Sequence, residues 1–171
     1  MFEMVQLWVN LPARDKMSPP HYQSISNNQI PVVNLHDNQG SVRVIAGQFD
    51  GATGPARTFT PIYVWDLHMD SDQEICLPVP DGYNALLAVL KGSVHIGAAI
   101  IGPAEVGMFD QVGEHICIDK AQNVTALLLC GEPIDEPIVG SGPFVMNSSE
   151  EIRQAMIDYQ SGKMGQVPER G

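Results

Sequence analysis

Basic residues are scarce in this chain: nine Lys and Arg face twenty Asp and Glu across 171 positions, for a net charge of −11. Gripping a phosphate backbone takes clustered cations, and these are scattered, so no direct nucleic-acid partner is expected. Long apolar runs are missing too. The longest, residues 85–90, is strand-sized and far short of the roughly 18 residues that cross a bilayer as a helix, so no membrane partner is expected. No basic stretch leads into an apolar segment near the N-terminus, which argues against a secretory signal. Cysteine is limited to Cys76, Cys117 and Cys130. An odd number without paired spacing predicts reduced thiols, mostly buried as small apolar residues, in a cytoplasmic protein.

What is present suits one globular core: 44% of the residues are hydrophobic, in a chain of single-domain length. Three zones can be read. Residues 1–40 form an irregular leading arm, an inter-domain type of segment rich in Pro, Ser and Asn. Its one expected strand covers residues 4–10, where Val5, Leu7 and Val9 alternate with polar residues and Trp8. Residues 41–140 read as short strands broken by Gly and Pro, over 42–48, 61–69, 74–79, 85–91, 93–97, 104–109, 115–119 and 124–130. Lys91-Gly92-Ser93 reads as a tight turn between two of them. Strands at spacings near ten residues predict an all-β sandwich or barrel.

Residues 141–171 carry a C-terminal helix and tail. Asn147 reads as its N-cap, with Glu150 closing a capping box. Glu150 and Glu151 fall in the first turn, where the helix dipole favours them. Ile152, Ala155, Met156 and Tyr159 recur at helical spacing, predicting one amphipathic helix of about 14 residues that ends near Gly162. The tail from Gly165 onward reads as loose.

Two segments carry a resemblance to a known family. Gln6-Leu7-Trp8-Val9-Asn10-Leu11-Pro12 and Gly142-Pro143-Phe144-Val145-Met146-Asn147 resemble signature runs of the pirins, which are two-domain cupin proteins. Met17-Ser18-Pro19-Pro20-His21-Tyr22-Gln23, Lys91 to Gly97, Gly131-Glu132-Pro133 and Glu136-Pro137 extend the match over most of the chain. The first run lies mid-chain in a pirin, after a metal-binding barrel. The resemblance therefore implies the C-terminal half, a cupin-type β-barrel or jelly roll with a C-terminal helix. The iron-binding N-terminal half, seat of the quercetin 2,3-dioxygenase activity of several pirins, would be absent.

A cupin that binds metal places two histidines at alternate positions of one strand, with a glutamate from its neighbour. The parity has a reason: residues i and i+2 point to the same side and can share one ion. Counted back from Gly92, the histidine positions fall near Pro78 and Pro80, and the glutamate at Asn84 or Ala85. The remaining histidine position falls around residues 121–123, where none stands. No metal, cofactor or catalytic residue is therefore assigned to this chain, and iron is expected only in the absent domain.

The five histidines offer little else. By parity His95 and His115 lie opposite Val94 and Ile116, on outer faces, and His68 reads as a surface residue; His21 and His36 fall in loops. His115 and Cys117 are ligand types at ligand spacing, but two donors fall short of the three or four that hold a structural metal. No oriented base activates a cysteine nucleophile. The carboxylate pairs Asp70/Asp72 and Asp135/Glu136 read as solvated turns; Trp8 and Trp65 could line a pocket, though large aromatics in small barrels are more often core. The expected function is interaction or regulation, with a homo-oligomer or protein partner and a concave interior open to a small apolar ligand. Two alternatives are kept: part of a quercetin 2,3-dioxygenase-type enzyme, or a small-molecule-binding cupin.

Overall fold

The computed structural model describes residues 4–165. Its strands are β1 (Val32–Asn34), β2 (Gly40–Ala46), β3 (Gln48–Phe49), β4 (Ala52–Thr53), β5 (Ile62–Ser71), β6 (Ile75–Pro78), β7 (Asn84–Ile96), β8 (Ala99–Ile101), β9 (Glu105–Phe109), β10 (His115–Ile118), β11 (Lys120–Gly131), β12 (Val139–Ser141) and β13 (Phe144–Met146). One helix, α1 (Ser149–Gln160), follows. The expected all-β architecture with a C-terminal helix is present. The chain divides into two compact units, one of residues 21–133 and one joining residues 1–20 to 134–171.

In the unit of residues 21–133 the main sheet runs β1-β2-β5-β11-β7-β8, with β9 also pairing β7. All of these pairings are antiparallel. β6 and β10 form a separate two-stranded ladder, so the ladders do not close into one continuous barrel. The alternation in the sequence explains the layering. Val42 and Val44, Trp65, Leu67 and Met69, Leu87 and Val89, and Ala126 and Leu128 are buried at every second position. Ile75, Leu77, Ile116 and Ile118 join them in one core from the β6·β10 ladder. Phe49 and Tyr63 meet the Trp65 ring edge-on, at 4.8 and 5.8 Å between centroids. That geometry favours aromatic pairs. Trp65 Nε1 is buried without a hydrogen-bond partner among the described residues.

The turn expected at Lys91-Gly92-Ser93 is not a turn between strands. β7 runs through it for 13 residues, and Gly92 takes φ 75° as a kink. There β11 shifts register between Gln122 and Thr125. A Cβ at Gly92 would collide with the carbonyl oxygens of Gln122 and Asn123, so only glycine lets the two backbones pass this closely. The kink divides the work of β7. Ala85 to Val89 pair with β9, and Val94 to Ile96 pair with β8.

In the other unit, the strand expected over residues 4–10 does not form. A strand needs a neighbour for its backbone groups, and no described strand pairs with this segment. Met4, Val5, Leu7, Trp8 and Val9 are all exposed. The segment is tied down further along. Ala13 N donates to Glu136 Oε2 at 2.6 Å, and Lys16 Nζ donates to Asn10 Oδ1 and the Val145 carbonyl at 2.7 and 3.2 Å. Glu136 is thus a structural acceptor rather than a solvated turn residue.

The helix begins one residue later than expected. Ser148, not Asn147, is the N-cap: its hydroxyl accepts from Glu151 N at 3.2 Å. Glu151 Oε2 accepts in return from Ser148 N and also from Asn147 N. Asn147 is spent elsewhere, its amide donating to Glu136 Oε2 and the Pro137 carbonyl, both at 3.0 Å. Gly162, with φ 78°, follows the Ser161 C-cap as the expected stop. Of the tail expected to be loose, residues 166–171 lie outside the described residues.

Candidate functional site

The place to look first is the interior, where alternate strand residues could converge on an ion. On the β6·β10 ladder the inward positions are Ile75, Leu77, Ile116 and Ile118. Pro78 faces outward, opposite His115. The would-be ligand pair is therefore absent on either parity of β6. Ala85 is buried on β7, Asn84 is exposed, and on β11 Ala121 is buried while Gln122 and Asn123 are exposed. Among the described residues the buried core of the 21–133 unit contains no His, Asp or Glu. These residues do not fit an iron centre. The one titratable side chain buried in that core is Cys130, whose thiol is pushed up to about 11 by burial. Burial thus favours the thiol over the nucleophilic thiolate at neutral pH.

The histidines lie outside this core, as the parity of His95 and His115 predicts for those two. His68 is exposed and faces Asp66, with Nε2 3.2 Å from Oδ1. Asp66 also takes the Arg43 guanidinium, which in turn reaches Asn27. His95 lies opposite buried Val94 and is partly exposed. His21 sits near the Phe59 ring, and His36 belongs to a short 3-10 turn. Trp65 is core as expected; Trp8 is 66% exposed.

The outer face of β6·β10 corrects the cysteine reading. Cys76 and Cys117 are 41 residues apart in sequence but form a disulfide, with Cα atoms 4.0 Å apart. Spacing along the chain could not show this, because the register of two strands brings them together. The signal was in the flanks: Ile75-Cys76-Leu77 and Ile116-Cys117-Ile118 both bury their outer two residues and turn the cysteine out. Val79 N donates to the Glu114 carbonyl. Counting back by alternation makes Cys76/Cys117 a non-hydrogen-bonded pair, the kind whose side chains stand closest. The partner of Cys117 is thus not His115. Glu74, Cys76 and Cys117 each offer a donor atom within 4.8 Å of the others, and His115 lies outside this group.

The second unit holds an apolar groove of about 300 Å³. Trp8, Val9 and Leu11 line it from the leading arm, and Pro143, Val145 and Met146 from β13 and the turn before it. The two most distinctive runs of the sequence, some 130 positions apart, thus make one surface, pinned by Lys16. On α1, Ile152, Ala155 and Asp158 are buried, while Met156, Ile157 and Tyr159 are exposed. Met156 and Tyr159 therefore do not share the buried face that their spacing predicted. Asp158 accepts from Gln154 Nε2 and Lys163 Nζ, both at 2.8 Å. The Lys163 ammonium, then the Gln154 amide, hold its carboxyl below the usual aspartate value.

Comparison with known proteins follows the same lines. The profile of the pirin C-terminal cupin domain matches residues 64–165. A provisionally named quercetin 2,3-dioxygenase of Pseudomonas aeruginosa is 44% identical over 94% of this chain, and 56% of that protein is covered. A pirin-like protein of Caulobacter vibrioides is 38% identical over 92% of this chain and 57% of its own length. A crystal structure of quercetin 2,3-dioxygenase from Acinetobacter baumannii is 38% identical and superposes with a TM-score of 0.88, over 94% of this chain and 56% of that one. The chain spans little more than half the length of these relatives. The fold is cupin-type. No described helix is long and apolar enough to cross a membrane.

Proposed function

The chain belongs to the pirin family, and from that premise we propose that it is a C-terminal cupin domain with no metal in its interior. Its role is protein interaction or regulation rather than catalysis of its own. The observation that carries the reading is the inner face of β6·β10 and its neighbours, where Ile75, Leu77, Leu87, Ile116 and Leu128 belong to one buried apolar cluster. A packed apolar interior supplies neither ligands nor an acid or base.

The exposed arm supports a protein partner. Val5, Leu7, Trp8 and Val9 are all exposed within five residues, and Trp8 and Val9 line the groove with Pro143. Apolar surface of this kind is what protein partners cover. The occupant is a protein face, either a second copy of this chain or a cupin domain of the kind that makes up the other half of its relatives. The test uses the purified chain with its disulfide intact. Iron content far below one per chain, no oxidation of quercetin, and a dimer mass by light scattering are expected. One iron per chain, or quercetin turnover by the chain alone, overturns the reading. A strictly monomeric mass removes the homo-oligomer.

A second reading rests on the names of the relatives in Pseudomonas and Acinetobacter. In it the chain is part of a quercetin 2,3-dioxygenase-type oxygenase whose catalytic residues lie in a separate cupin domain. Quercetin turnover that appears only when such a domain is added would favour it.

A further inference from the structure

We propose that Glu74, Cys76 and Cys117 form a zinc site on the outer face of β6·β10, available when the two cysteines are reduced and closed by the disulfide. The proposal is independent of the function proposed above, since it concerns the opposite face of the ladder.

Position is the first argument. The ladder fixes Cys76 and Cys117 directly opposite each other, and buried Ile75, Leu77, Ile116 and Ile118 anchor both strands from below. Breaking the sulfur–sulfur bond therefore leaves both thiols facing solvent side by side. Glu74 is two residues before Cys76, exposed on the same side. Its carboxylate already lies within 4.8 Å of both sulfurs. Zinc–sulfur bonds of about 2.3 Å and zinc–oxygen bonds of about 2.1 Å place tetrahedral donors about 3.6–3.8 Å from one another. Once the disulfide is broken, side-chain rotations let the two sulfurs part to that distance and bring the carboxylate to it.

Donor chemistry is the second argument. Two thiolates select a borderline-soft ion over magnesium or calcium, and a carboxylate is an accepted third ligand of zinc. Three protein donors leave the fourth position to water. The step into the competent form balances as follows. A phosphine attacks one sulfur, the disulfide breaks, and water converts the phosphine to its oxide while its two hydrogens go to the two thiols. Zinc then displaces those two protons to solvent.

Cobalt(II) serves as a spectroscopic stand-in for zinc in the test. The full chain is reduced with tris(carboxyethyl)phosphine, freed of it without air, and titrated. The reduced chain should bind one cobalt with thiolate charge-transfer and tetrahedral bands, and zinc should displace it. The oxidised chain should show neither band. Cys130→Ala should behave as the parent, Cys117→Ser should lose the charge-transfer band, and Glu74→Gln should bind at least tenfold more weakly. Cys117→His, which cannot form the disulfide, should bind zinc without reductant. If reduction itself loosens the fold, zinc should restore the strand signal in circular dichroism. Absence of the bands in the reduced parent, their survival in a Cys76→Ser/Cys117→Ser variant, unchanged affinity in Glu74→Gln, or failure of zinc to restore a loosened fold each overturns the site.

Discussion

The β6·β10 ladder and helix α1 sort their residues in opposite ways. The ladder turns Ile75, Leu77, Ile116 and Ile118 inward and Glu74, Cys76, His115 and Cys117 outward. The helix buries Asp158 beside Ile152 and Ala155 and leaves Met156, Ile157 and Tyr159 exposed. The ladder shows that a strand can carry donor residues and still present only aliphatic side chains to the core, because a side chain on the outward parity never meets the inner face. The helix shows that a charge can be the inward residue when its partners come with it. Gln154 and Lys163 satisfy Asp158 from the same segment, so little is left uncompensated.

The sharpest way to test the ladder's side of this contrast is to truncate one residue on each face. Leu77→Ala removes a fully buried side chain and should cost about 2–5 kcal/mol by lost burial and residual cavity. Glu74→Ala, on the outer face, should stay within about 0.5 kcal/mol in the oxidised protein. Equilibrium urea unfolding reads both. Equal losses would mean that the outer face also carries the fold.

A smaller effect separates the two residues at the start of α1. Ser148→Ala removes the hydroxyl that accepts from Glu151 N and should cost about 1 kcal/mol. Asn147→Ala leaves that cap in place and instead releases Glu136 and the Pro137 carbonyl. Thermal melting should show a loss in both. Only Ser148→Ala should fray the first turn of the helix in amide exchange.

These cases show what the sequence made legible. Strand parity was readable because period two depends only on local pleating, so the inner and outer residues of β5, β6 and β10, and of β11 from Val124 onward, follow the alternation. The apolar interior and the outward histidines could be inferred from it. The disulfide could not, since register between strands 41 residues apart is a tertiary fact. The strand expected over residues 4–10 had the right alternation but no described neighbour to pair with. The kink at Gly92 looked like a turn because glycine permits both. The bulge of β11 that accepts it is visible only in the pairing. On α1 the helical period was right, but the rule that apolar residues point inward placed Met156 and Tyr159 on the buried face and overlooked Asp158.

The helix's side of the contrast has a pH signature. Asp158 is held below the usual aspartate value by Lys163 first and Gln154 second, so its folded-state pKa lies under the ordinary value of about 3.9. Such a group contributes stability that is fully present above the unfolded value and is lost as pH falls through the folded one. Asp158→Asn keeps the shape but not the charge, and it weakens the Lys163 contact. The melting temperature of the parent should therefore exceed that of Asp158→Asn at neutral pH. The gap should narrow below about pH 4 as the parent's carboxyl takes up its proton. Lys163→Met should lower the neutral-pH melting temperature in the same direction and show a weaker acid dependence, because the leading cause of the shift is gone. A gap that stays constant from neutral to acid pH would mean that Asp158 acts by shape alone, and the helix would then sort its residues by the same rule as the ladder.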